Sequence, residues 1–266
     1  EIRWKFSGNP DLKAGSPIGR TSRGVALGEG KVFVGITDGR LAALDQRTGA
    51  RVWEVQGERW QDGYAITAAP LYYDGLVIIG FNGGEMGTRG RLKAFDARTG
   101  ALRWTFYTVP GPGEFGHETW PKDSDAWMRG GANIWQTPAV DPQLGLLYFS
   151  TANPGPDLNG SVREGDNLFA NSIVAIDART GQYRWHFQQV RHDIWDYDSP
   201  NPVILDVRST PEYKAGHPEH AYNVPYPYLH QTSNAAGRTP DGACATQETR
   251  AERVGQRGSA RLKSEG

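Results

Sequence analysis

The feature that most constrains this chain is a repeat. Ala43-Leu44-Asp45-Gln46-Arg47-Thr48-Gly49 leads to Trp53, Ala94-Phe95-Asp96-Ala97-Arg98-Thr99-Gly100 to Trp104, and Ala175-Ile176-Asp177-Ala178-Arg179-Thr180-Gly181 to Trp185. Each copy reads as a hairpin in which an alternating apolar strand enters a turn and a second strand carries the Trp. Asp and Thr hold such a turn by bonding nearby backbone, and Gly supplies positive φ. A Trp on an outgoing strand needs a neighbour to cover it, which is how stacked repeats cohere. Glu1-Ile2-Arg3-Trp4 reads as the tail of a fourth copy.

The spacing from Trp4 to Trp53 to Trp104 suits one four-stranded propeller blade per repeat. Further strands are legible at 24–27, 31–35 and 40–44, at 68–72, 76–80 and 90–95, and at 135–140, 146–150 and 172–176. Little helix is expected. The fold class is therefore all-β, a β-propeller with three blades and one strand of another. Propellers close with about four to eight blades, so the chain is expected to be incomplete. Its opening at Glu1, inside a strand-like pattern, reads as a cut product or fragment. The interval before Trp185 is longer, and the excess is a Gly/Pro/Trp-rich loop at 109–131, the kind of insertion that often carries function.

Composition narrows the function. A formal net charge of -1 gives no reason to expect nucleic acid or a membrane surface as partner. With Cys244 as the single cysteine, no intrachain disulfide can form. No apolar run approaches a membrane span. The propeller pattern stops after Val207. Residues 208–266 contain only Val224, Leu229, Val254 and Leu262 from the set Ile, Leu, Val and Phe. Such a segment buries too little apolar surface to offset its ordering entropy, so 1–207 is expected as propeller and 208–266 as an irregular tail.

Four groups carry chemistry. His192-Asp193-Ile194-Trp195-Asp196-Tyr197-Asp198 follows a long strand and sets Asp196 between two rings, where desolvation can raise its pKa and make it a base. The Asn82-Gly83-Gly84-Glu85 turn offers a carboxylate where a backbone can approach a ligand closely. Asn153 and Trp135 likewise sit at strand ends. Together Glu85, Asn153 and an Asp offer only oxygen ligands, which suits a hard cation such as calcium and not zinc.

With these motifs in view, the chain resembles the pyrroloquinoline-quinone (PQQ) dependent alcohol dehydrogenases, which include methanol and ethanol dehydrogenases. The resemblance rests on the three repeats, on Gly83-Gly84-Glu85-x-Gly87-x-Arg89-Gly90, on Phe106-Tyr107-Thr108-Val109-Pro110-Gly111-Pro112-Gly113-Glu114 and on His117-Glu118-Thr119-Trp120-Pro121. It rests further on Asn153-Pro154-Gly155-Pro156, Arg163-x-Gly165-Asp166-Asn167-Leu168 and His192-Asp193-x-Trp195-Asp196-Tyr197. It covers residues 1 to about 207 and implies an eight-bladed propeller of which this chain is about half.

By that resemblance Glu85 and Asn153 ligate a metal, Asp196 is the catalytic base and Trp135 is the floor under the quinone. Arg23, Thr67, Asn82, Gly83 and Gly84 bind the cofactor. The implied reaction takes a primary or secondary alcohol to an aldehyde or ketone, with hydride transfer to metal-bound quinone. The implied setting is the periplasm, with a cytochrome c or membrane quinone as electron acceptor. Asp198 matches an extra metal ligand found in lanthanide-using members, although sugar dehydrogenases with the same cofactor also carry an Asp there. Pro17-Ile18 stands where many members have adjacent cysteines. The alternatives are a sugar dehydrogenase and a scaffold propeller that shares the Trp repeat without a cofactor.

Overall fold

The computed structural model describes residues 2–11 and 21–199, with the backbone of the short strands Leu205–Asp206 and Tyr222–Asn223. The expected boundary at 207, the tail at 208–266 apart from the backbone of Tyr222–Asn223, Pro17-Ile18 and Cys244 lie outside the described residues. The chain divides into two compact units. The first, Glu1–Leu205 with Pro218–Tyr222, holds every residue discussed below; the second is Asp206–His217 with Asn223–Gly266.

Three four-stranded antiparallel sheets form, each in sequence order. Blade 1 is β1 (Val25–Gly28), β2 (Lys31–Gly35), β3 (Arg40–Asp45) and β4 (Arg51–Gln56). Blade 2 is β5 (Leu71–Tyr73), β6 (Leu76–Gly80), β7 (Arg91–Asp96) and β8 (Leu102–Tyr107). Blade 3 is β9 (Ala139–Asp141), β10 (Leu146–Ser150), β11 (Ser172–Asp177) and β12 (Tyr183–Gln188). Among the described residues the only helical pieces are short 3₁₀ turns. This is the β-propeller expected from the repeats.

The core lies between the sheets. Every residue of β6 is buried, because each face of its sheet is covered. Ile78 packs with Leu92 and Ala94 against Leu147, Phe149 and Val174 of blade 3. Val77 and Ile79, pointing the other way, join Phe33, Leu41 and Ala43 of blade 1. The period of two along one strand thus serves two interfaces.

The repeated turns are nearly superimposable in their bonding. Asp96 Oδ1 accepts from Arg98 N, Thr99 N and Thr99 Oγ1, each at 3.0 Å, and Asp45 and Asp177 make the same three bonds. The following glycine has φ near +73° in all three turns, and a Cβ there would strike the Trp of the preceding repeat. Gly49 seats Trp4, Gly100 seats Trp53 and Gly181 seats Trp104. Trp4 therefore occupies the docking position of a repeat tail, although no strand forms over residues 2–11. Its indole Nε1 donates to Gln46 O at 3.1 Å, as that of Trp53 donates to Ala97 O at 3.0 Å.

The loop at 109–131 is a packing element in its described contacts. Trp120 is buried with Val109, Ala132 and Ala170, and its Nε1 donates to Leu168 O at 2.6 Å. The Arg89 guanidinium is sandwiched between the rings of Tyr107 (3.8 Å) and Trp127 (4.7 Å).

At the outer end of blade 3, His186 lies among the rings of Phe115, Phe169 and Tyr183, with Tyr183 Oη 2.8 Å from its Nδ1. Burial pushes the imidazole down to about 4. A His whose folded pKa is depressed contributes stability above its unfolded value near 6.5 and loses it as pH falls to the folded value. Acidification from pH 6.5 to 4 is thus expected to remove up to roughly 3 kcal/mol at this residue. In His186→Phe the pH dependence of urea unfolding over that window should be flatter by that amount; an unaltered slope would count against it.

Candidate functional site

Strand register brings the sequence-predicted residues to one end of the sheets. In blade 3 the start of β9, the end of β10, the start of β11 and the end of β12 share that end, since Tyr148 pairs with Ala139, Ser150 with Ile173 and Ser172 with Gln188. Trp135 precedes β9, Asn153 follows β10, and Asp196 and Asp198 follow β12. In blade 2 Thr67 precedes β5 and Asn82–Glu85 follows β6; in blade 1 Arg23 precedes β1. The Asp-Thr-Gly turns lie at the other end.

Local packing then fixes each residue. Asn82 pairs with Ala65, each backbone N–H donating to the other carbonyl. Gly83 has φ +130°, and a Cβ there would lie 2.2 Å from Gly63 O, so only glycine fits. Glu85 rides exposed on the 3₁₀ turn Gly84–Met86 that follows. Ile134 packs onto Gly80, as Ile66 packs onto Gly35, so Trp135 and Thr67 hold equivalent places beside successive blades. Asn153 is buried; its backbone accepts from Ala132 N at 2.8 Å, and Gly155 N donates to Gly130 O at 3.0 Å. Arg23 N donates to Thr67 O at 3.0 Å, and the Arg23 guanidinium lies 4.8 Å over the Trp135 ring.

The acidic side chains interact. Asp198 is half-buried, and burial, followed by the like charges of Asp196 and Glu85, pushes its carboxyl up to about 6. The Trp135 indole N–H and the Asn153 backbone N–H act against that rise. Asp157, absent from the sequence-predicted set, joins the cluster. Its carboxyl accepts from Asn153 Nδ2 at 2.7 Å. Burial, then Glu85 and Asp196, holds it above the ordinary carboxylate range. Its only sequence signal was a carboxylate four residues after Asn153. The desolvation expected at Asp196 falls on its neighbour instead: Asp196 is exposed, and its flanking rings Trp195 and Tyr197 are 61% and 63% exposed.

Two oxygens here, Thr67 Oγ1 and Asp198 Oδ1, are buried without a hydrogen-bond partner. Such groups are costly unless a ligand completes them. The mutually repelling carboxylates around Asp198 favour a cation. Among the described residues no three His, Cys, Asp or Glu side chains are arranged to hold a metal by themselves. A cation here would therefore draw on Asn153 as well, whose amide donates to Asp157 and leaves its carbonyl oxygen for the ion.

The family model described as "PQQ: Glucose/ethanol/alcohol dehydrogenase, beta-propeller domain" matches residues 1–215. The chain belongs to this dehydrogenase β-propeller family. Quinohemoprotein alcohol dehydrogenase ADH-IIG of Pseudomonas putida is 41% identical over 217 residues, covering 76% of this chain and 30% of that protein. Lanthanide-dependent methanol dehydrogenase of Methylacidiphilum fumariolicum is 34% identical over 225 residues, covering 77% and 36%. Among solved structures, a europium-containing methanol dehydrogenase superimposes with a TM-score of 0.73 at 33% identity, covering 79% of this chain and 40% of that one. The chain thus spans about a third of the length of those curated relatives.

Proposed function

We propose that this chain is the cofactor-bearing part of a PQQ-dependent dehydrogenase that converts a primary or secondary alcohol to an aldehyde or ketone. The observation that carries this reading is the acidic cluster of Glu85, Asp157, Asp196 and Asp198 around Asn153, in which Asp198 Oδ1 is buried without a hydrogen-bond partner. A scaffold propeller needs the Trp joints but has no use for that set. Glu85, Asn153 and Asp198 would hold the cation, calcium or a lanthanide. Arg23, Thr67, Asn82, Gly83, Gly84 and Trp135 would hold the quinone.

When bound, the cofactor supplies a two-electron acceptor and the cation a Lewis acid. The chain's own part is binding and proton handling. Asp196 takes the hydroxyl proton of the alcohol at its carboxylate and, being exposed, returns it to solvent. Trp195 and Tyr197 offer apolar surface to the alcohol's carbon chain. Electrons pass on to a cytochrome c or a membrane quinone, in the periplasm.

The test is titration of the chain with PQQ plus calcium, then PQQ plus lanthanum, followed by quinone absorbance. Glu85→Ala is expected to weaken cofactor binding by about 10- to 100-fold, the scale of losing a metal ligand or its support. Asp198→Ala should weaken the lanthanum complex more than the calcium one, since a trivalent ion gains more from the extra negative charge. Equal binding by wild type and Glu85→Ala would remove the ligand assignment.

A further inference from the structure

Two buried charged residues on the segments that carry the acidic cluster are neither ligand nor base in this scheme. Arg163 follows the short turn Gly160–Val162 and is completely buried. Its Nε donates to Pro156 O at 3.1 Å, one terminal nitrogen to Asn167 Oδ1 at 2.9 Å, and the other to Asp157 O at 2.9 Å and Asp193 O at 2.5 Å. The guanidinium thus bonds both the segment that carries Asn153 and Asp157 and the segment that carries Asp196 and Asp198. A planar fork of five donors can bridge separated carbonyls in fixed directions, which a single ammonium cannot.

Asp193 completes the device. It is 1% exposed, and its two carboxylate oxygens accept from Trp195 N and Tyr197 N, each at 2.9 Å. Those alternate amides bracket Asp196, which has φ +60°; Asp198 follows at +41°, and His192 precedes at +45°. Left-handed backbone is unfavourable for residues with a Cβ, so the segment does not take this course without an external hold.

We propose that Arg163 and Asp193 are positioning residues: Arg163 sets the separation of the two acid-bearing segments, and Asp193 sets the direction in which Asp196 and Asp198 leave the backbone. What is positioned rests on the function proposed above; the hold itself does not.

The experiment compares the full chain with Arg163→Lys and Asp193→Asn. Three properties are read: thermal melting, amide hydrogen exchange, and tryptophan-sensitised luminescence of added terbium(III). Both variants are expected to keep a cooperative melt, at a lower temperature than wild type because buried hydrogen bonds are lost, and to leave the β10 and β11 amides slow to exchange. The amides of Trp195 and Tyr197 should exchange about tenfold faster, the effect of weakening one charge-assisted hydrogen bond. Terbium affinity should fall by about 10- to 100-fold. Asp193→Glu, which keeps the charge, should recover part of it. Wild-type exchange at both amides in the two variants overturns the proposal, and so does loss of cooperative melting in both, which would assign the pair to folding alone. Should terbium fail to bind wild type, the ligand assignments of the previous section fall, and amide exchange alone decides the hold.

Discussion

Asp196→Asn is expected to lower dye-linked alcohol oxidation by about 10²- to 10⁴-fold, the contribution of a well-placed general base. The substitution keeps the shape of the side chain and removes only its capacity to take a proton. Cofactor absorbance should persist, because Asp196, like Asp157, stands outside the proposed ligand set. Its charge acts on both Asp157 and Asp198, so it belongs to the same acidic cluster. The discriminating control is Asp198→Asn. A ligand defect should be relieved by raising the calcium concentration, whereas a missing base should not. If excess calcium restores Asp196→Asn and leaves Asp198→Asn inactive, the two roles must be exchanged.

Trp104→Ala is expected to cost about 3–5 kcal/mol of stability, the usual penalty for removing a large buried ring. Trp104 is buried in the cluster shared by blades 2 and 3, and its ring fills the space over Gly181. Its indole Nε1 has no hydrogen-bond partner, unlike that of Trp53. The loss is therefore one of packing, and Trp104→Phe should cost clearly less than Trp104→Ala. Chemical denaturation of the two variants checks this. A loss under about 1 kcal/mol for Trp104→Ala, the range of a surface change, would mean that the joint between these blades does not depend on the ring.

The blades were legible because their determinants are local. Asp, Thr and Gly of one turn bond within five residues, and the alternation along β6 is visible without knowing what covers either face. The strand ends then located Glu85, Asn153 and Asp196 on one side by register alone. What stayed hidden depends on contacts between distant segments. Asp157 matters because Asn153, Glu85 and Asp196 converge on it, and Arg163 because it reaches Asp193 thirty residues on. The flanking aromatics pointed to Asp196 as the desolvated carboxyl, yet those rings turn outward and burial falls two residues later, on Asp198.

The Trp joints and the acidic cluster occupy opposite ends of the same sheets. Substitutions at separated sites add nearly independently. Cohesion and chemistry in this propeller are therefore separable properties: the joints can be strengthened or weakened, blade by blade, with little effect on the affinity of the site for its ligands. An engineer seeking a more heat-resistant variant would work at the turn end, and one altering the proposed site at the other.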